Sequence, residues 1–433
     1  MTHARTARRR AAACKATGTT GLRPAQVAWL AGAVFSVSAG YGALLPALPG
    51  WLALLMPGAN AADIGRHVGF LSGVYAAGVL IGAPLWGTVS DRVGRGRVLI
   101  GGLVGYITSL LLLLVPAATG LWGLYALRGA TGFFVAAVIP VVAALVAEHT
   151  PERLRARRFA WLGAMSLLGF LFGPALSTLA SWLGPWIAGA ALSPALSAKV
   201  VLLLSASLGA AMMIGLARTL PARPGDIAVA MGEPGQPTGS RPGDAASLLW
   251  LSAVVMFVLA GFELGIVLQG QSTFGVSASQ SAIMLAECSL VMLGVNALLF
   301  ITSLLEKVPA RTLIGAGLLL AMTGLMVLAT DPSDAWMYLA VSLTAAGTGL
   351  VLPVIAYLAA AASPHKLGVV MGGLAAASGL GQTLGSAAGG WLFGSLQHLT
   401  FAWLATPLIA LTGLMLTRNR WRSRSASTSF HPR

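Results

Sequence analysis

The chain has 433 residues, 57% of them hydrophobic and only 9% charged, where a soluble domain carries about 25% charged residues. That balance excludes an ordinary water-soluble globule and points to an integral membrane protein. The net charge of +15 would suit a polyanionic partner, so the placement of the basic residues has to decide what it means.

Apolar runs of about 20 residues, the length that carries a helix across about 30 Å of hydrocarbon at 1.5 Å per residue, recur along the whole sequence. They predict twelve spans, at 26–50, 67–88, 98–118, 121–147, 159–183, 198–217, 246–270, 280–304, 312–330, 335–361, 367–395 and 399–417. The basic N-terminal stretch leads into an apolar run too long, and without a clear small-residue cleavage site, to be a signal peptide, so a retained first helix is expected. With both termini cytoplasmic, all but three of the 27 Lys and Arg fall on that side. Arg128 lies within the fourth span, and Arg66 and Lys199 lie outside. This is the positive-inside asymmetry, and it accounts for the basicity without any nucleic-acid partner. Of the two cysteines, Cys14 lies in the basic tail and Cys288 inside the eighth span, so no disulfide is expected. Trp51, Trp122, Trp182, Trp186, Trp336 and Trp421 fall near span ends, where interfacial anchoring places such rings.

At 218–245 the composition turns to Pro, Gly, Asp and Ser, which cannot bury enough apolar surface to order itself. The expected organisation is therefore a basic cytoplasmic tail (1–25), a six-helix bundle (26–217), a cytoplasmic linker (218–245), a second six-helix bundle (246–417) and a second basic tail (418–433). The halves repeat at a spacing of about 213 residues: Val138-Ile139-Pro140-Val141-Val142-Ala143 matches Val351-Leu352-Pro353-Val354-Ile355-Ala356, and Pro151 falls on Pro364. Asp91-Arg92-Val93 has an echo in Glu306-Lys307-Val308, and Gly169-x-x-x-Gly173 in Gly381-x-x-x-Gly385. Parallel repeats imply a pseudo-twofold axis along the membrane normal, with a site between the halves near the midplane.

Three segments stand out. Gly87-Thr88-Val89-Ser90-Asp91-Arg92-Val93-Gly94-Arg95-Gly96-Arg97 packs charge between the second and third spans. There Gly87 permits close helix approach and Gly94 a tight reversal. Arg128-Gly129-Ala130-Thr131-Gly132 puts a guanidinium inside the bilayer, at a cost of about 2.5 to 3.5 kcal/mol on insertion scales, so it should face the interior or water and have a partner. Gly169-Phe170-Leu171-Phe172-Gly173-Pro174 offers a smooth glycine face followed by a helix-bending proline.

With these segments, essentially the whole chain resembles the major facilitator superfamily, and in particular its twelve-span drug:proton antiporters. The first segment meets the family pattern G-x-L-x-D-R-x-G-R-[KR] at Gly87, Asp91, Arg92, Gly94 and Arg95, with Val89 for Leu and Gly96 at the next basic position. The resemblance implies a conformational gate in which Asp91 faces the positive end of a helix in the other half. The second segment is similar to the family's R-x-x-x-G element. The third is similar to the antiporter element G-x-x-x-G-P-x-x-G-G at Gly169, Gly173 and Pro174, with Ser177 and Thr178 in place of the last glycines. It implies export rather than import.

Only Glu263 and Glu287 of the twelve acidic residues fall inside predicted spans, about seven residues or roughly 10 Å from the outer ends. A carboxyl so placed can hold a proton and release it as access alternates. Glu263, Glu287 and Arg128 are therefore the proton-coupling candidates, Glu263 first because the family's seventh helix lines the central cavity. An Arg128 to Glu263 contact across the halves would close the outside. Tyr41, Phe133, Phe134, Phe262 and Tyr357 are candidates for an aromatic cavity lining, and Asn296 and Gln382 are polar candidates within the eighth and eleventh spans.

No phosphate-cradling loop, metal-ligand cluster or nucleophile with an ordered base is present, so neither enzymatic chemistry nor a cofactor or metal is expected. The expected protein is an all-α membrane transporter of two pseudo-symmetric six-helix bundles, monomeric, in the cell (inner) membrane. Its expected partners are the lipid bilayer, protons and a small amphipathic molecule that it exports. Export of an endogenous metabolite such as a siderophore, proton-coupled import of sugars or organic acids and, most remotely, a non-transporting sensor or scaffold stay open.

Overall fold

A computed structural model of the chain describes residues 22–115, 120–150, 152–188, 194–220, 242–272, 275–302, 304–330, 334–362, 367–396 and 399–427. In chain order the helices are α1 (Pro24–Leu44), α2 (Leu48–Leu55), α3 (Ala61–Val93), α4 (Arg95–Leu112), α5 (Leu121–Val135), α6 (Ile139–Glu148), α7 (Glu152–Ala188) and α8 (Pro194–Thr219). They continue with α9 (Pro242–Ser272), α10 (Ala278–Ile301), α11 (Leu304–Lys307), α12 (Ala310–Leu328), α13 (Asp334–Ala362), α14 (Leu367–Leu396) and α15 (Thr400–Ser427). Among the described residues nine helical stretches are long and apolar enough to cross a membrane, with shorter apolar stretches at Trp161–Ser177 and Thr400–Gly413. Those two lie in the expected fifth and twelfth spans, and α14 occupies the eleventh. Most of the expected linker, and all but a few residues of the N-terminal tail, lie outside the described residues.

Two expected spans are broken helices. The first is α1, a tight turn at Leu45–Ala47 and α2, because Pro46 and Pro49 lack the donors a continuous helix needs. The fourth is α5 and α6, interrupted at residues 136–138 just before Pro140. There the Ala137 amide donates to Phe134 instead of Phe133, and the indole of Trp86 takes up the freed Phe133 carbonyl at 2.9 Å. Elsewhere the ends follow local chemistry. Asn60 caps α3 by accepting from the Asp63 amide at 2.8 Å, and Gly94 ends it at φ 102°, a backbone angle that only glycine adopts readily. Ser277 and Gln280 form a capping box on α10.

Two large apolar cores result. One is built mainly from residues of α1–α8 and the other from α9–α15. Large side chains such as Ile81, Leu203, Trp250, Leu290, Ile301 and Trp403 point outward and are exposed, as expected where the solvent is hydrocarbon. Trp122 and Trp336 are also exposed, at the starts of α5 and α13, but Trp51 is buried in the first core. There α2 packs between α3 and α8, and that ring faces inward. The side chains of Trp182, Trp186 and Trp421 lie outside the described residues.

The repeat is visible as repeated packing. Gly169 and Gly173 of α7 lie against the backbone of α1 at Phe35 and Ala39, and Gly381 and Gly385 of α14 lie against α9 at Ala253 and Phe257. A serine pair bridges each seam: Ser38 with Ser166 at 2.9 Å and Ser252 with Ser378 at 2.7 Å. Ser177, where the antiporter pattern has glycine, donates to the Ala43 carbonyl at 2.7 Å, so the departure adds a bond to the same seam. Pro174 continues within α7.

Candidate functional site: the cavity between the halves

The halves meet along two seams, α3 with α14 and α7 with α10. At the end of the bundle where α3 begins and α14 ends the first seam closes tightly. Gly69 touches Gly390 with no room for a side chain on either, and Gly65 receives the ring of Phe393 and the tip of Leu268. Across the same end Gln271 donates to the carbonyl of Pro46, in the turn between α1 and α2, at 3.3 Å.

Beneath this closure, between the halves, is a cavity of about 240 Å³. Its first-half wall includes Ser38, Tyr41, Tyr75, Ser166 and Phe170, and its second-half wall Met256, Glu263, Ser289, Met292 and Gln382. Tyr41 and Tyr75 stack with centroids 4.9 Å apart and planes at 25°, and Phe170 tilts against Tyr41 at 5.8 Å. Tyr41 also meets the Gln382 side chain across the halves. Tyr41, Tyr75 and Glu263 are the lining residues nearest the closed end of their helices, so the cavity floor is aromatic on one side and carboxylic on the other.

The expected site residues separate accordingly. Glu263, Tyr41 and Gln382 line the cavity. Glu287 does not: it turns into the second bundle, where Oε1 accepts from Ser342 of α13 at 2.5 Å and Oε2 is buried without a partner among the described residues. Arg128 is 1% exposed, its guanidinium 4.7 Å from the Tyr75 ring centre. It forms no ion pair with Glu263, and the Tyr75 ring takes the place expected for that contact.

Phe133 and Phe134 pack against each other and Trp86 and fill the grooves at Gly82 and Gly105, so they brace α3, α4 and α5 and leave the cavity unlined. Phe262 is fully buried in the second core and Tyr357 is 45% exposed; neither reaches the cavity. Asn296 spends its amide on the Met292 carbonyl one turn back, at 2.9 Å. Sequence reasoning missed Tyr75 and Phe170. Phe170 sits inside the glycine motif, and Tyr75 shares its helix with the charged loop, but nothing in an all-apolar run marks which face turns inward.

At the opposite end, Arg95 gathers the charged loop. It pairs with Asp91 at 2.7 Å and with Glu148, the last residue of α6, at 2.8 Å, and it donates to Ser90 Oγ at 2.5 Å. Asp91 is 62% exposed, and no described residue lies close to Gly87 or Gly94. The close helix approach expected at Gly87 is therefore not made here, because the two halves are drawn together at the other end. Arg92, in the last turn of α3, is exposed.

Two helical bundles with a small polar and aromatic cavity between them, sealed at one end, are the architecture of a secondary transporter. The chain belongs to the Major Facilitator Superfamily, whose family profile matches residues 30–299 and 271–433. It is a multi-pass membrane protein of that superfamily.

Among curated proteins it is similar to the class B tetracycline resistance protein of Escherichia coli, 38% identical over 149 residues, which span 34% of this chain and 35% of that protein's length. It is also similar to the class D protein of Salmonella ordonez, 27% identical over 87% of this chain and 92% of that one. The quinolone resistance protein NorA of Staphylococcus aureus is 27% identical over 33% of this chain and 35% of its own length. Among solved structures, the fold is shared with the xylose transporter XylE of E. coli, with TM-score 0.69, 16% identity and 91% and 98% of the two chains covered. It is shared also with the human organic anion transporter MFSD10, with TM-score 0.67, 20% identity and 90% and 99% covered.

Proposed function

We propose that this protein is a proton-coupled exporter of small amphipathic organic molecules, with both termini in the cytoplasm of a cell whose inner membrane it spans, working as a monomer by rocking of its two halves. The observation that carries this reading is Glu263, the one carboxylate among the described residues lining the cavity, opposite an aromatic wall suited to flat apolar cargo. Similarity to tetracycline and quinolone resistance proteins supports export of drug-like compounds, and the helix-packing element at Gly169, Gly173 and Pro174 supports the same direction. With the basic end cytoplasmic, the tight contact of Gly69 and Gly390 seals the outer side, which supports reading this arrangement as inward-facing. The gate formed by Gly87, Asp91, Arg92, Gly94 and Arg95 then engages the second half only when the cycle turns outward. Glu287, held by Ser342, serves as a secondary proton-binding group behind the cavity wall.

The test is transport of a drug panel in proteoliposomes under an imposed pH gradient. Glu263→Gln should abolish gradient-driven flux while leaving equilibrium binding of the drug measurable. Unimpaired gradient-driven flux in that variant would refute the coupling role.

A further inference from the structure

Arg128 is the one charged side chain fully buried among the described residues. Its Nε and Nη2 have no hydrogen-bond acceptor there, and the ion pairs found involve Asp63, Asp91 and Glu148 instead. The groups within electrostatic reach of it are Tyr75, Tyr41 and Tyr106. Tyr106 Oη, Ser72 Oγ and Ser205 Oγ are likewise buried and unpartnered. The Tyr106 hydroxyl lies over Gly40 beside Ser205, and Ser72 stands one turn before Tyr75 on α3. All of these atoms can donate a hydrogen bond and none carries negative charge. Water can satisfy the donors, but it leaves the cation without a counter-charge, and a buried unpaired charge is the costliest arrangement a core can hold. A buried guanidinium with two free N–H groups beside tyrosine hydroxyls offers what a compact anion requires.

The Tyr75 ring stands between this cluster and the cavity. Tyr75 and its stacking partner Tyr41 line the cavity, whereas Arg128 does not. We propose that Arg128 is a concealed anion subsite of the cavity. When the Tyr75 ring turns aside, the Nε–Nη2 edge takes a compact anionic group, supplied either by the transported molecule or as a free inorganic anion of chloride's size. The proposal deepens the transport reading and rests on it for the cavity being the cargo site.

The test uses full-length protein in lipid nanodiscs at equilibrium, with no pH gradient. Binding of 2-naphthoate is compared with that of its neutral counterpart 2-naphthamide, and thermal unfolding is followed in sodium chloride against sodium gluconate. If cargo supplies the anion, naphthoate binds at least tenfold tighter than naphthamide, and Arg128→Met brings the ratio to about one. If a free anion occupies the site, chloride raises the unfolding temperature of the wild type but not of Arg128→Met. Tyr75→Leu, which removes the cover, should increase whichever effect is present, and it keeps the proposal testable if Arg128→Met does not fold. Equal binding of the two probes with no chloride-dependent shift overturns the proposal, as does a preference that survives Arg128→Met. A failure here leaves proton coupling untouched, and a failure of coupling in Glu263→Gln leaves the anion preference readable.

Discussion

Tyr41 and Tyr75 stack at 4.9 Å and join α1 to α3 on the cavity floor, with Glu263 on the facing wall. An aromatic pair of this kind is worth about 0.5 to 1.5 kcal/mol beyond its buried area, and on the proposed reading its cavity-facing edge borders the cargo. Tyr41→Ala should therefore weaken binding of flat aromatic drugs by roughly two- to tenfold, while Tyr41→Phe should stay close to wild type. Direct binding titrations of both variants in detergent measure this, and equal losses in the two would assign the effect to the hydroxyl at Gln382.

The charged loop should matter for motion more than for stability. The Arg95 pairs are partly exposed, with Asp91 62% and Glu148 35% accessible, and exposed pairs contribute about 0 to 1 kcal/mol each. Arg95→Ala should leave the unfolding temperature within a few degrees of wild type and still slow transport at saturating substrate. A large drop in unfolding temperature would show that the cluster is structural.

At the closed end, Gly69 has no space for a side chain because Gly390 and the Ser386 carbonyl occupy it. Gly69→Leu should hold the halves apart at that end, abolishing transport while retaining binding. A cysteine introduced at Gln271 should then become reactive to a membrane-impermeant thiol reagent added from outside, whereas in the parent it reacts slowly. Gly101→Leu, at a position with no described neighbour, is the matched control and should transport normally.

The seam glycines bear on folding. At Gly173 a side chain would meet the backbone of Ala39, Gly42 and Ala43, and at Gly385 that of Phe257. Overpacking of this kind typically costs about 1 to 3 kcal/mol, so Gly173→Val and Gly385→Val should each lower the unfolding temperature by several degrees. The pseudo-symmetric positions should show similar losses in the same thermal assay.

The spans were legible because their lengths and apolarity are set by the bilayer, and the glycine motifs because close helix approach demands them. The cavity wall was only partly legible. Tyr41 stood out as an aromatic ring and Gln382 as a polar group in an apolar run, and both face the cavity, yet Asn296 stood out for the same reason as Gln382 and merely bonds its own helix. Phe262 and Glu263 are adjacent in sequence, but one helical step of about 100° sends the ring into the second core and the carboxylate into the cavity. In α9 nearly every face is apolar, so no stripe distinguishes the lining side from the packed side. Tyr75 lies in the apolar run of α3, where the residues around it likewise mark no inward face, and with it the separation of Arg128 from Glu263 was hidden.

The cavity floor draws Tyr41 and Tyr75 from one half and Glu263 and Gln382 from the other, so neither bundle alone completes the cavity wall. In genetic terms the chain is one cistron encoding two interdependent parts. Fragments divided within residues 221–241 should each be inert alone yet restore function when co-expressed, whereas a fragment carrying Glu263→Gln should fail to rescue any first-half partner.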